Sequence, residues 1–367
     1  MSDSVKAAEI APGIERAYTL SSEHYFDPAI YRLECERLFW RTWQCVGWRE
    51  QVAAAGDYFT FDLGGEPLLI TRDSSGSLRG FYNVCRHRAG PVAENCGSRK
   101  VFRCGYHGWT YSLEGKLLNA PEMEGACEFS HSDFALRSFP AAEWEGLVFV
   151  NLDPGAEPLL TALGELPAQA AKFDFSHMRF YKRHDYVMEC NWKVYIDNYL
   201  EGYHLPSVHP SLNRELDYSQ YVTAIFPRHS LQSSPIRGPE NESGVSRRYA
   251  QSRGDLAAEY YWIFPNWMLN CYPDNMSLNI VLPLGPERCV AIFAWFFPPE
   301  LMSTGAPEST FRFSDEIQSE DGHICEVVYR NLKSRSYSRG RYSVKQEQGL
   351  YHFHRLYAAA LAGNAVS

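Results

Sequence analysis

Two stretches, NVCRHRAGPV and RCGYHGWTY, carry the clearest chemistry in this 367-residue chain. Cys85 stands two residues before His87, and Cys104 stands three before His107, with sixteen residues between the pairs. Zinc knuckles usually pair like with like, cysteines in one and histidines in the other. Here each pair holds one thiolate and one imidazole. That donor set suits a centre whose two metal atoms take different ligands. A single structural zinc is the competing reading, and the C-x-H spacing fits it poorly.

A [2Fe–2S] cluster normally takes four thiolates, and exchanging two of them for imidazoles on one iron gives a Rieske centre of raised potential. The chemistry requires two Cys and two His delivered from two loops. Cys85 and Cys104 are assigned to one iron, His87 and His107 to the other. Gly90-Pro91, Gly105 and Gly108 are read as permitting tight loops, Trp109 as an apolar wall, and Cys96 as a spare thiol.

Such a centre only moves electrons, so a second site must use them. The segment NWKVYIDNYLEGYHLPSVHP holds His204 and His209, five apart, with Pro206 between them. Pro206 disfavours helix at Leu205, which predicts that His204 ends a helix and His209 lies just beyond the break. Two histidines and one carboxylate make the facial triad of non-haem Fe(II) oxygenases, with positions left open for O₂. In the predicted helix FSDEIQSEDGHICEVVYRNL the apolar stripe is Ile317, Ile324, Val328 and Leu332, and Asp321 falls on it. A carboxylate on a buried face is costly unless paired, and iron would be its partner. Glu320, at the stripe's edge, competes for the role, whereas Asp315 and Glu326 are expected to face solvent. Glu201, three before His204 on what is read as the same helix face, suits the carboxylate that takes the other N–H of a metal-bound histidine.

Around these residues the patterns are those of an α+β chain. A capped helix is predicted over 21–44, with Ile30, Leu33, Leu38 and Phe39 as its stripe. From about Cys45 to Asp153 short strands separated by turn residues (DYFTFDL, PLLITRD, RGFYNV, VFRCGY, GLVFVNL) predict a small all-β domain. Asp153-Pro154-Gly155 reads as its exit. The remainder mixes helix (LLTALGELPAQAAKF, CNWKVYIDNYLEGYH and much from Glu308 on) with strand (MSLNIVLPLG, CVAIFAWFF). The expected organisation is an N-terminal helical segment over 1–44 packing with the catalytic domain, the metal-cluster domain over 45–155, and the catalytic domain over 156–367.

The net charge is −9, without basic clusters, which argues against nucleic acid as a partner. No apolar run approaches the length of a membrane span, and the first residues lack a secretory pattern, so a cytoplasmic location is expected. The ten cysteines are then expected as free thiols. There is no flavin or nicotinamide motif, so electrons from NAD(P)H would have to arrive through a separate flavin or iron–sulfur reductase.

Taken together, these residues resemble the large (oxygenase, α) subunit of Rieske non-haem iron oxygenases from about residue 20 to 360. The resemblance implies an all-β Rieske [2Fe–2S] domain followed by a helix-grip catalytic domain, an antiparallel sheet with helices. It implies a cluster on Cys85, His87, Cys104 and His107, a mononuclear Fe(II) on His204, His209 and Asp321, and a homotrimer in which Glu201 joins His204 to His107 of the adjacent subunit. Three positions depart from common patterns. Glu201 stands where ring-dihydroxylating members often have Asp, Arg86 where Pro is frequent, and Tyr329-Arg330 where Val-Gln is frequent. The glutamate, the chain length, and the stretches WIFPNWMLNCY and SLNIVLPLGPERC are most similar to the branch acting on choline, carnitine and betaine. On that likeness the expected reaction is hydroxylation or oxidative demethylation of a small quaternary ammonium compound, with ring hydroxylation of an aromatic as the alternative. Tyr203, Trp262, Phe264, Trp267 and Tyr272 are the candidate cage for the cation.

Overall fold

The computed structural model describes residues 8–236 and 257–364. The chain divides into two units, one of Phe39–Ala162 and one that joins Met1–Leu38 to Leu163–Ser367.

The first unit is built from short antiparallel strands. Strands β1 (Gln44–Trp48), β10 (Ala141–Trp144) and β11 (Leu147–Val150) form one sheet in the order β1-β11-β10. A second sheet runs β5-β2-β3-β4-β9, from β2 (Asp57–Leu63), β3 (Glu66–Arg72), β4 (Leu78–Tyr82), β5 (Cys96–Ser98) and β9 (Ser138–Phe139). A third, β6-β7-β8, is made by β6 (Phe102–Arg103), β7 (Thr110–Tyr111) and β8 (Leu117–Asn119). The predicted strand VFRCGY therefore shrinks to two residues, because Cys104 already starts a tight loop. Tyr58, Leu69, Phe81, Phe102, Trp109, Tyr111 and Leu117 fill one core, and the thiols Cys85 and Cys104 sit in it.

The predicted helix over 21–44 is broken. Asp27 caps α1 (Pro28–Glu34), its Oδ1 accepting from the Ala29 N–H at 2.8 Å. A wider π turn follows over Cys35–Phe39. Gln44 to Trp48 then leave the helical path because they are needed as a strand beside β11. Of the expected stripe, Ile30, Leu38 and Phe39 are buried and Leu33 is half-buried. The predicted helix LLTALGELPAQAAKF is likewise two pieces, α2 (Leu159–Leu163) and α3 (Leu166–Ala170).

The second unit carries a seven-stranded antiparallel sheet. Its strands are β12 (Arg179–Met188), β13 (Val222–Ile225), β14 (His229–Pro235), β15 (Ala257–Ile263), β16 (Trp267–Tyr272), β17 (Asn275–Pro283) and β18 (Cys289–Phe297). Their order is β12-β18-β17-β16-β15-β14-β13. Every residue of β17 and β18 is buried, so both faces of the sheet's middle are covered. The helices are α4 (Trp192–Tyr199), α5 (Leu205–Val208), α6 (Pro210–Glu215), the long α7 (Ala306–Leu332) and α8 (Gln348–Leu361). Helix α7 packs on α4 and β12, and α4 also meets β17.

The buried stripe of α7 is Ile317, Asp321, Cys325, Tyr329 and Leu332, whereas Val328 is exposed and Ile324 half-buried. The buried set steps by four residues from Ile317 to Tyr329, so it winds slowly around α7, whereas the predicted stripe keeps to one fixed face of a 3.6-residue helix. Asp315 and Glu326 are not free solvent carboxylates either. Asp315 accepts from the Tyr186 hydroxyl at 2.8 Å, and Glu326 from the Glu189 N–H at 3.0 Å. All ten cysteines are free, and among the described residues no helix is long and apolar enough to cross a membrane.

Candidate metal centres and cavity

In the first unit two loops repeat one hydrogen-bond pattern. The Cys85 N–H donates to Gly90 O at 2.8 Å and the Ala89 N–H to Cys85 O at 3.0 Å. The Cys104 N–H donates to Trp109 O at 2.9 Å and the Gly108 N–H to Cys104 O at 3.1 Å. In each loop the fourth residue after the cysteine has a left-handed backbone, Ala89 at φ 59° and Gly108 at 75°. The sharp reversal throws the cysteine inward and leaves the histidine nearer the surface. Gly90 serves a different purpose from the one expected of it, since a Cβ there would lie 2.9 Å from Cys104 Sγ. Gly105 meets nothing within 4 Å and is not required for the loop by contact.

The donors converge. His87 Nδ1 and His107 Nδ1 lie 3.2 Å apart. The His87 ring stacks on Trp109 at 4.9 Å and 8°, so the indole is a wall behind that imidazole. Cys85 Sγ lies 3.2 Å from the Tyr111 hydroxyl, which also accepts from the Arg86 N–H at 3.0 Å. Burial pushes the Cys104 thiol pKa up, and neighbouring Cys85 adds to that. Two buried thiols beside two more open imidazoles fit a mixed-ligand cluster, whose iron would stabilise the Cys104 thiolate that burial disfavours. Cys96 is exposed on β5 and lies outside this group.

In the second unit, helix α4 stops at Tyr199, so Glu201 and His204 belong to the turn after it rather than to one helical face. They meet nonetheless. Glu201 Oε1 lies 2.7 Å from His204 Nδ1, and Oε2 accepts the His204 N–H at 3.1 Å. Pro206 does not end a helix. It occupies the first turn of α5, where no N–H is needed, so His204 precedes that helix and His209 follows it. Pro210 opens α6 in the same way. Two short helices thus replace the expected break, and the histidine rings still face one another with centroids 5.1 Å apart.

His204, His209 and Asp321 each offer a ligand atom, all within 4.8 Å of one another. Asp321 Oδ1 lies 2.9 Å from His209 Nε2 and 3.7 Å from His204 Nε2. Both outer nitrogens are held from behind, His204 Nδ1 by Glu201 and His209 Nδ1 by Glu320 Oε2 at 2.6 Å. Asn198 Nδ2 donates to Asp321 Oδ1 at 2.6 Å. Each imidazole therefore presents Nε2, and Asp321 rather than Glu320 stands between them. Burial works against a charged His209, but Asp321 and Glu320 outweigh it and raise its pKa. A divalent cation would supply the same positive charge to the two carboxylates. The donor set of two imidazoles and one carboxylate fits non-haem iron.

A cavity of about 890 Å³, its open mouth included, lies over these residues. Its wall includes Tyr195, Tyr199, Tyr221, Tyr260, Tyr272, Phe293, Trp295 and Phe313 with several side-chain amides. Tyr272 alone of the five expected cage residues lines it. Trp262, Phe264 and Trp267 are buried in the core away from the cavity wall, and Tyr203 is exposed. Period-2 geometry explains the error: on β16, Asn270 and Tyr272 share the face towards the cavity, which Trp267 does not. The sequence signals missed are NMSLN in β17, which puts Asn275, Ser277 and Asn279 on one face, and FAW in β18, which does the same for Phe293 and Trp295.

A cluster-binding loop pair on a small β unit, with a two-histidine, one-carboxylate group under an aromatic cavity, defines an iron-dependent oxygenase. Residues 42–140 match the Rieske [2Fe-2S] domain, and residues 175–363 match the ring hydroxylating alpha subunit (catalytic domain). The choline monooxygenase of Arabidopsis thaliana (chloroplastic) is 36% identical over 94% of this chain and 83% of its own. The carnitine monooxygenase oxygenase subunit of Escherichia coli (strain K12) is 29% identical, with 94% of each chain covered. A solved quaternary ammonium Rieske monooxygenase superposes with a TM-score of 0.87 at 26% identity, covering 96% of this chain and 99% of that one. The chain belongs to the Rieske oxygenases, as an α-type subunit with a Rieske [2Fe–2S] cluster and a mononuclear iron as its cofactors.

Proposed function

We propose that this chain is the terminal oxygenase of a multicomponent system that hydroxylates or oxidatively demethylates a small quaternary ammonium compound of the choline, betaine or carnitine type. Cys85, His87, Cys104 and His107 would hold the cluster, and His204, His209 and Asp321 the iron. When bound, the cluster relays single electrons and the iron activates O₂ for attack on a C–H bond. The residues of the chain do the rest. Glu201, Glu320 and Asn198 fix the two imidazoles and Asp321. The aromatic wall holds a permanent cation, which no proton transfer can neutralise, at about 0.5–2 kcal/mol per ring contact.

Electrons come from NAD(P)H through a separate reductase. The working assembly is a homotrimer in which Glu201 reaches His107 of the neighbouring copy. The exposure of His107 supports this, since it leaves that ring free to meet a partner.

The observation that carries the substrate reading is the aromatic cavity directly over His204, His209 and Asp321, in a chain whose relatives above are named for choline and carnitine. With a surrogate reductase and NADH, product should form from choline, glycine betaine or carnitine. Product should be followed rather than NADH loss, because uncoupling mimics turnover. Product from benzoate-like aromatics alone would overturn the substrate and leave the metal assignments standing.

A further inference from the structure

The sheet side of the cavity is neutral and amide-rich. Asn275, Ser277 and Asn279 succeed one another on one face of β17, with Asn270 paired to Ser277 across the strands. Most polar groups on this wall are already partnered within the chain. The Asn270 Oδ1 accepts from the Tyr199 hydroxyl at 2.7 Å, and Asn275 Nδ2 donates to Asp274 at 2.7 Å. Asn279 differs. It is completely buried, it borders the cavity, and neither its Nδ2 nor its Oδ1 has a hydrogen-bond partner among the described residues. A buried amide left so costs folding free energy, and in a cavity wall it marks the place of a ligand's polar atom.

We infer that Asn279 selects the tail of the substrate, favouring a neutral hydroxyl two carbons from the cationic head over a carboxylate. This rests on the quaternary ammonium reading above. Phe293 lies directly across from Asn279 in the strand register, and Trp295 directly across from Ser277. Cross-strand neighbours stand about 5 Å apart, so a head on the ring and an oxygen on the amide are separated by roughly a two-carbon spacer.

The chemistry of the tail follows from the amide. A hydroxyl both donates and accepts, and it satisfies Oδ1 and Nδ2 together. A carboxylate only accepts, and it would set an anion against Oδ1. No lysine or arginine lines the cavity among the described residues, and its charged side chains other than histidine are Glu201 and Asp321. A carboxylate tail at Asn279 would be desolvated with no cationic side chain among the described residues to receive it.

The test is calorimetric titration of the anaerobic, iron-loaded enzyme with choline, ethyltrimethylammonium, glycine betaine and carnitine. Choline should bind about tenfold tighter than ethyltrimethylammonium, which lacks only the hydroxyl. It should bind about a hundredfold tighter than glycine betaine, and carnitine, which carries both a hydroxyl two carbons from the nitrogen and a carboxylate beyond it, should fall between the two. Asn279→Ala and the similarly shaped Asn279→Leu should bring choline down to the level of ethyltrimethylammonium. The ratio of two ligands on one variant is insensitive to how much of that variant folds, and the wild-type comparison needs no variant. Glycine betaine binding as tightly as choline would overturn the tail assignment while leaving the quaternary ammonium reading intact, as would an unchanged choline ratio in both variants. If none of the four binds and an aromatic acid is hydroxylated, the quaternary ammonium reading falls, and the tail assignment with it.

Discussion

Removing Glu320 should loosen the iron without displacing any of the three residues proposed to hold it. The Glu320 carboxylate lies 2.6 Å from His209 Nδ1, its side chain is 29% exposed, and His209 is 1% exposed. A charged hydrogen bond in that setting contributes about 1.5–3 kcal/mol, or roughly 10- to 100-fold in an equilibrium constant. That is the range typical of carboxylates behind metal-bound histidines. Glu320→Ala is therefore expected to weaken Fe(II) or Co(II) binding by about 10- to 100-fold. Glu320→Gln keeps an acceptor without the charge and should lose about half that free energy, roughly 3- to 10-fold. The assay is competition against a calibrated chelator under argon, with the visible spectrum of the cluster as a control on folding. Asp321→Ala should keep the cluster and lose the mononuclear metal and activity. Unchanged affinity in Glu320→Ala would show that the hydrogen bond does not support the ligand. Retained activity in Asp321→Ala with loss in Glu320→Ala would mean that the two carboxylates have exchanged roles.

Cys85→Ser or His107→Ala should remove the visible absorbance and the EPR signal of the reduced cluster, and a normal Rieske spectrum in both would refute the ligand set. Glu201→Gln should retain both metals but slow cluster oxidation severely in single-turnover stopped flow. Lys193→Met should destabilise the fold by about 3–5 kcal/mol in chemical denaturation, since it strands the buried Glu34 carboxylate, and adding Glu34→Leu should recover much of the loss. Stability should fall with pH from about 6.5 toward 4. Burial above all, helped by Lys193 at His24, His352 at His229 and Arg355 at His352, lowers the pKa of His24, His229 and His352 to about 4. The unfolded chain then binds about three more protons in that window, so stability is full above 6.5 and lost as pH falls through 4. A flat denaturation midpoint between pH 7 and 5 would contradict it.

The residues proposed to hold the cluster were legible because their chemistry is local. Each loop supplies its own cysteine and histidine, and spacing alone brings them together. Asp321 was legible for another reason, as a carboxylate on a helical stripe that is otherwise apolar, and it is buried. Of their companions, Glu201 was legible from its place three residues before His204, whereas Asn198 and Glu320 were not legible as supports. Glu320 lies on the same helix as Asp321 but 111 residues from His209, and no local pattern tells a ligand from a ligand's support. The cage residues failed on orientation. WIFPNW is rich in rings, yet a strand shows alternate residues to opposite sides, and which side faces the cavity depends on pairing with β17. The helix over 21–44 failed at both ends, starting only after the Asp27 cap and giving up Gln44 to a strand over a hundred residues away.

Helix α4 shows why Tyr25 and Glu34 matter to a site they do not line. One side of it presents Tyr195, Asn198 and Tyr199 to the cavity, and Asn198 steadies Asp321. From the other side Lys193 reaches Glu34 of α1 at 2.5 Å, and Glu34 also accepts from the Trp192 indole and from Tyr357 of α8. One turn further on, Asp197 accepts from the Tyr25 hydroxyl at 2.6 Å and lies 3.1 Å from His354 Nε2, whose Nδ1 meets Tyr342. Tyr25, Glu34 and α8 thus hold a helix that carries a neighbour of Asp321. Buried polar groups are costly unless every partner is in place, so the network admits few alternative positions for α4. Where hydrophobic packing alone would let the helix slide or rotate slightly, paired charges define a register, and Asn198 inherits it.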